Sequence, residues 1–133
     1  ESPKIRKSLA REKDPGLRSL AYEAWGNQLD ASRSEILSAY RSETDEGVKL
    51  RALKAWAQAY GRTRGTDSFI PQAVHSLEQV AMNDRDPGER RQALLALKAL
   101  GREESRAALF RISETNSLKR VRDLAKVMAL PGY

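Results

Sequence analysis

Four basic residues, Arg18, Lys49, Arg90 and Arg122, stand 31, 41 and 32 residues apart, each in the same place within a recurring set of apolar neighbours. A column of cations carried on successive elements suits carboxylates or phosphates, which arginine grips with paired hydrogen bonds. The same column admits an inward reading. An arginine turned inward is paired within the fold and recognises nothing outside it. One helical turn beyond the cations come Tyr22, Leu53 and Leu94. They flank the apolar stripe at roughly 140° on a helical wheel, so they either form an apolar strip beside the cations or pack on a preceding element. The first arrangement has the composition of a peptide groove with aromatic and arginine anchors.

Other chemistry fails on inventory. The chain has one histidine, His75, and no cysteine, which removes the usual zinc sites and the usual histidine-assisted nucleophiles. His75 lies off the stripe of Ile70, Ala73, Val74 and Leu77 and is expected on the surface. The carboxylate pairs Asp45-Glu46 and Glu103-Glu104 fall at predicted helix starts, where they complement the helix dipole. Glycines are single and form no phosphate-cradling loop. The sequence predicts no catalytic residue, no metal and no cofactor.

The elements that must carry the cations repeat. Asp14-Pro15-Gly16-Leu17-Arg18, Asp45-Glu46-Gly47-Val48-Lys49 and Asp86-Pro87-Gly88-Glu89-Arg90 align, and beyond them Ala21, Ala52 and Ala93 coincide, then Ala24, Ala55 and Ala96, then Trp25, Trp56 and Leu97. A fourth copy, Val121-Arg122 with Ala125, lacks the acidic turn. Counted from Leu17, apolar residues recur at the third, fourth, seventh and eighth places, the period of a helix with one buried face. Each aspartate is a helix N-cap, followed in two copies by a proline where a missing donor costs nothing. Gly61 and Gly101 punctuate the far ends. Shorter amphipathic segments precede each copy, marked by Ile5, Leu9 and Ala10; by Ile36, Leu37, Ala39 and Tyr40; by Ile70 to Ala81; and by Ala107, Ala108, Phe110 and Ile112. Residues 61–68, GRTRGTDS, read as a surface insertion with no apolar anchor. Spacings near these values mark stacked arrays, in which a single hairpin cannot bury its own stripe.

An aspartate turn, an aliphatic residue, an arginine, and alanines three and six residues after it resemble the second helix of a HEAT repeat, particularly the bacterial type also found in phycobilisome lyases. Copy three departs from the pattern at Glu89, and copy four at its missing cap. The resemblance also implies the inward reading of the column, each arginine paired with a turn aspartate of its own or a neighbouring unit, here Asp14, Asp45 or Asp86. The resemblance implies an all-α, right-handed α-solenoid of about four hairpins and eight helices, one domain over 1–133 with repeats near 2–29, 32–61, 68–101 and 103–130. It further implies a non-catalytic scaffold whose second helices line a concave face for a protein partner, with Arg18, Tyr22, Lys49, Leu53, Arg90, Leu94 and Arg122 on or beside that face and Trp25, Trp56 and Leu97 in the core.

Composition bounds the rivals. The 24 basic and 18 acidic residues leave a net charge of +6, interspersed as on a solvated helical surface, yet enough to favour an acidic partner. Nucleic-acid binding on a basic concave face, as in HEAT-like repair glycosylases, is one alternative; Arg62, Arg64, Arg85, Arg102 and Arg106 would add to it. An accessory C-terminal domain of a larger enzyme, such as a bacterial zinc aminopeptidase, is another, since the chain begins Glu1-Ser2-Pro3 and reads as a piece of a longer protein. The absence of cysteine, of a signal peptide and of any apolar run near roughly 18 residues leads to the expectation of a soluble, cytoplasmic chain with no membrane partner.

Overall fold

The computed structural model describes residues 8–9, 11–29, 31–63, 65 and 67–131. These form seven helices and no strand: α1 Pro15–Gly26, α2 Arg33–Ser42, α3 Glu46–Gly61, α4 Ile70–Asn83, α5 Pro87–Leu100, α6 Glu103–Thr115 and α7 Lys119–Met128. The chain is all-helical over these residues. Of the segment expected to form a further helix near the start, Ser8, Leu9 and Arg11 are helical, while Ile5 and Ala10 lie outside the described residues.

Local chemistry accounts for the starts. Asp14, Asp45 and Asp86 each hold extended backbone and accept an amide hydrogen of the first turn, from Gly16 at 2.9 Å, Val48 at 3.0 Å and Gly88 at 2.8 Å. One otherwise orphaned donor is satisfied at each helix start, an effect of roughly 1 kcal/mol apiece. Ser32 caps α2 in the same way. At the far end of α5, Gly101 turns left-handed at φ 62°, which a side chain would resist. Arg102 and Ser105 close the start of α6 reciprocally, backbone to hydroxyl and hydroxyl to backbone.

Two compact units make up the chain, residues 1–63 and 64–133, and the boundary falls within the interruption that lacks apolar anchors. In the first unit α3 is the centre: α1 and α2 both pack on it, and its buried residues face more than one side. Trp25 and Trp56 are fully buried, and Trp56 lies 5.1 Å from the ring of Tyr60. Gly26 marks a close approach of α1 to α3. A Cβ placed there would stand 2.7 Å from the Ala55 Cα and 2.9 Å from its Cβ. In the second unit α4 packs on α5 and α6 on α7, each pair joined by a short link that turns the chain back on itself, while α4 meets α6 and α5 meets both α6 and α7. Leu97, Leu100, Leu109 and Ile112 form its apolar interior, none exposed by more than 2%.

Three expectations about burial change. Leu17, the origin of the apolar count, is half exposed, and Ala24 is exposed although Ala55 and Ala96 at the matching positions are buried. Helix α1 turns Tyr22, Trp25 and Gly26 inward against α3, and no described helix covers its opposite face. Phe110 is likewise exposed, because the buried stripe of α6 runs through Ser105, Ala108, Leu109 and Ile112 instead.

Candidate functional site

The column of cations begins from the turns that precede the second helices. Two residues before each N-terminal cap sits a side chain with an acceptor oxygen: Glu12, Glu43, Asp84 and Asn116. Each accepts the backbone N–H of the cap, from Asp14 at 3.1 Å, Asp45 at 3.4 Å, Asp86 at 2.9 Å and Leu118 at 3.0 Å. Six residues after each of these acceptors stands a member of the column. Arg18, Arg90 and Arg122 reach back to the carbonyl of that acceptor residue, at 3.4, 2.6 and 2.7 Å, and Arg18 also donates to the Lys13 carbonyl at 2.8 Å. The guanidinium thus satisfies carbonyls that the turn leaves outside helical bonding.

The same arginines reach forward. Arg18 donates to both carboxylate oxygens of Glu43, at 3.1 and 2.9 Å. Arg90 donates to Asn116 Oδ1 at 3.0 Å and to Ser117 Oγ at 3.1 Å. Glu43 is the C-terminal cap of α2 and Asn116 that of α6, the helix that follows the arginine's own helix in each unit. Asn116 is buried and also donates to the Ala81 carbonyl at 2.6 Å. The Glu43 hydrogen bonds hold the Arg18 guanidinium above the ordinary arginine range. Turn aspartates, the partners that the resemblance implies, are instead occupied as helix caps.

The remaining residues expected at a binding face divide. Tyr22, Leu53 and Leu94 are buried, at 2%, 3% and 0% exposure. Leu53 and Leu94 offer no side-chain area to a partner, because the flank of the stripe is enclosed along with its centre, whereas Tyr22, as enclosed, still lines a groove. Lys49 departs from the arginine pattern: its ammonium lies 5.5 Å from the centre of the Tyr40 ring. Arg62 donates to the Gly26 carbonyl at 3.0 Å, and Arg102 donates to the Leu100 and Gly65 carbonyls at 3.0 and 2.7 Å. Both close helix ends. Arg85, Arg106 and His75 are exposed, and Arg64 lies outside the described residues. Half-exposed on the second helices are Arg51 and Lys54 of α3 and Gln92 and Leu95 of α5, positions that the sequence did not single out.

A groove of about 450 Å³ opens in the first unit between α1 and α2, lined by Leu9, Glu12, Arg18, Tyr22, Glu35, Ser38, Ala39, Ser42, Glu43 and Thr44. Burial pushes the Tyr22 phenol up to about 12, the charge of Glu43 adds to the shift, and Arg18 opposes it. Among the described residues no group of three or more histidine or carboxylate side chains is placed to hold a metal ion, and no helix is long and apolar enough to cross a membrane. Of the groove residues, sequence reading found Arg18 and Tyr22 and missed Glu12 and Glu43. A signal for those two exists: an acceptor side chain two residues before the cap, in EKD, ETD, DRD and NSL.

Comparison of the chain with protein families, curated proteins and solved structures found no match.

Proposed function

We propose that the chain is a non-catalytic interaction module, a short HEAT-like solenoid that presents the exposed side of its second helices to a protein partner. The observation that carries this reading is the recurrence of one tie in both units. An arginine early in a second helix clasps its own turn and the C-terminal cap of the following helix, as Arg18 does with Glu43 and Arg90 with Asn116. A device of this kind fastens one hairpin to the next, which is what an array of hairpins needs.

The faces offered to a partner are then those beside the column rather than the column itself. On α3 these are Arg51 and Lys54, and on α5 Gln92 and Leu95, all half-exposed. Cationic groups there favour an acidic protein surface, in keeping with the net charge of +6.

Reversing charge at Arg51 and Lys54 together tests the reading. The double variant R51E/K54E should keep the helical circular dichroism of the parent while losing a partner captured by crosslinking in cells. Retention of the same partner would overturn the assignment of this face. Salt-sensitive affinity for duplex DNA that the double variant abolishes, with a logarithmic slope of roughly 0.9 per phosphate contact, would replace the protein partner with nucleic acid.

A further inference from the structure

The groove between α1 and α2 has a polarity that the charge of the whole chain conceals. Within a protein of net charge +6, the described residues of its lining carry three carboxylates, Glu12, Glu35 and Glu43, and one guanidinium, Arg18, which Glu43 neutralises. That guanidinium is committed. It is bound to both oxygens of Glu43 and to two backbone carbonyls, leaving little of it to attract an anion.

At the inner wall stands Tyr22, only 2% exposed and yet lining the groove. Its hydroxyl makes no hydrogen bond to a described residue and is not sealed from solvent, so it is open to a donor from the groove. The charge acting on it is negative on balance, since Glu43 outweighs Arg18 in raising its pKa. Leu9 and Ala39 supply apolar contact beside it, and the Ser38, Ser42 and Thr44 hydroxyls stand along the α2 side. A neutral phenol oxygen with a spare lone pair, carboxylates around it and a short apolar wall are the complement of an alkyl chain ending in a cation.

We propose that this groove receives a lysine or arginine side chain of the partner protein, with the Tyr22 hydroxyl accepting from the cation and Glu12 supplying the opposing charge. The proposal rests on the reading of the chain as a partner-binding module. A carboxylate or phosphate is disfavoured in the same place, because it would meet Glu12 and Glu35 while Arg18 and Glu43 occupy one another.

The test uses the full chain and two blocked tripeptides, glycyl-lysyl-glycine and its norleucine counterpart, which has an uncharged side chain of similar length. In heteronuclear NMR titrations the lysine peptide should shift the amide signals of Ser38, Glu43 and Thr44 saturably, and the norleucine peptide should not. Tyr22→Phe, which keeps the ring and its packing, should weaken the lysine peptide about tenfold, the loss of one hydrogen bond to a charged group. Glu12→Gln, which keeps an acceptor for the Asp14 amide, should weaken it several-fold. Equal shifts with both peptides, no shifts at these residues, or undiminished binding in both variants would overturn the proposal. Those results concern the groove alone. The function proposed above would fail separately, through retained partner capture by the variant reversed at Arg51 and Lys54.

Discussion

Arg90 and Asn116, 26 residues apart in sequence, meet through a 3.0 Å hydrogen bond inside the second unit, and Asn116 joins three segments at once. Its amide nitrogen donates to the end of α4 at Ala81, and its oxygen accepts from Arg90 of α5 and from the Leu118 N–H that opens α7. Asn116→Ala should therefore cost about 3 kcal/mol, since a buried guanidinium N–H, a backbone carbonyl and a helix-start N–H all lose their partner. Glu43→Gln keeps an acceptor for Arg18 and should cost about 1 kcal/mol. Urea denaturation of both variants checks the contrast; similar losses would show that keeping an acceptor for the arginine does not decide the cost.

Gly26→Ala should destabilise the first unit by about 1 to 3 kcal/mol, the range for forcing extra volume into a packed contact. The new methyl would meet the Ala55 backbone at 2.7 Å, and a backbone atom cannot swing aside as a long side chain can. Thermal melts read the effect. An unchanged melting temperature would mean that α1 can slide on α3 without loss.

Trp25→Ala and Trp56→Ala should each cost about 3 to 5 kcal/mol, because both indoles are fully buried and their loss leaves a cavity. Tryptophan fluorescence of the parent should accordingly be blue-shifted and poorly quenched by iodide. Ready quenching would place an indole in water and overturn the packing described.

Alkaline pH should expose the burial of Tyr22. Its folded pKa is about 12 against an ordinary 10.0, so between those values the folded chain holds a proton that the unfolded chain releases. Stability from this group is complete below pH 10 and falls as pH rises through 12, by about 2 to 3 kcal/mol in all. Denaturation series from pH 9 to 12 in the parent and in Tyr22→Phe isolate the contribution: the variant should lose less stability over that range. Parallel curves would show that the phenol is not desolvated.

On the surface of the second unit, Glu78→Gln should change stability by less than about 1 kcal/mol even though Arg111 binds both its oxygens, at 2.9 and 2.7 Å. The Arg111 side chain is 57% exposed, and water and salt screen such a pair. A loss above about 2 kcal/mol in differential scanning calorimetry would mean that the pair anchors α6 to α4.

Much of the helical layout was legible in residues. Asp14, Asp45 and Asp86 are the caps that their turns foretell, Gly101 ends α5 as a glycine should, and Trp25, Trp56 and Leu97 are buried where a 3.6-residue period puts them. These features depend on a few neighbours in the chain, so sequence alone contains their physics. The binding face was less legible. Tyr22, Leu53 and Leu94 sit on the edge of the stripe, where a wheel cannot say how far the next helix extends, and the structure encloses all three.

By itself the sequence determined where helices start and stop and which stripe of each is apolar, because caps and periodicity are decided within a turn or two of chain. Only the tertiary structure decided that Arg18 would clasp Glu43 and Arg90 would clasp Asn116, that Tyr22 would line a groove rather than a surface, and that Leu17 would be left outside. Each of those outcomes depends on which face a distant helix covers, and residues 25 or more positions away set that through packing rather than through local preference.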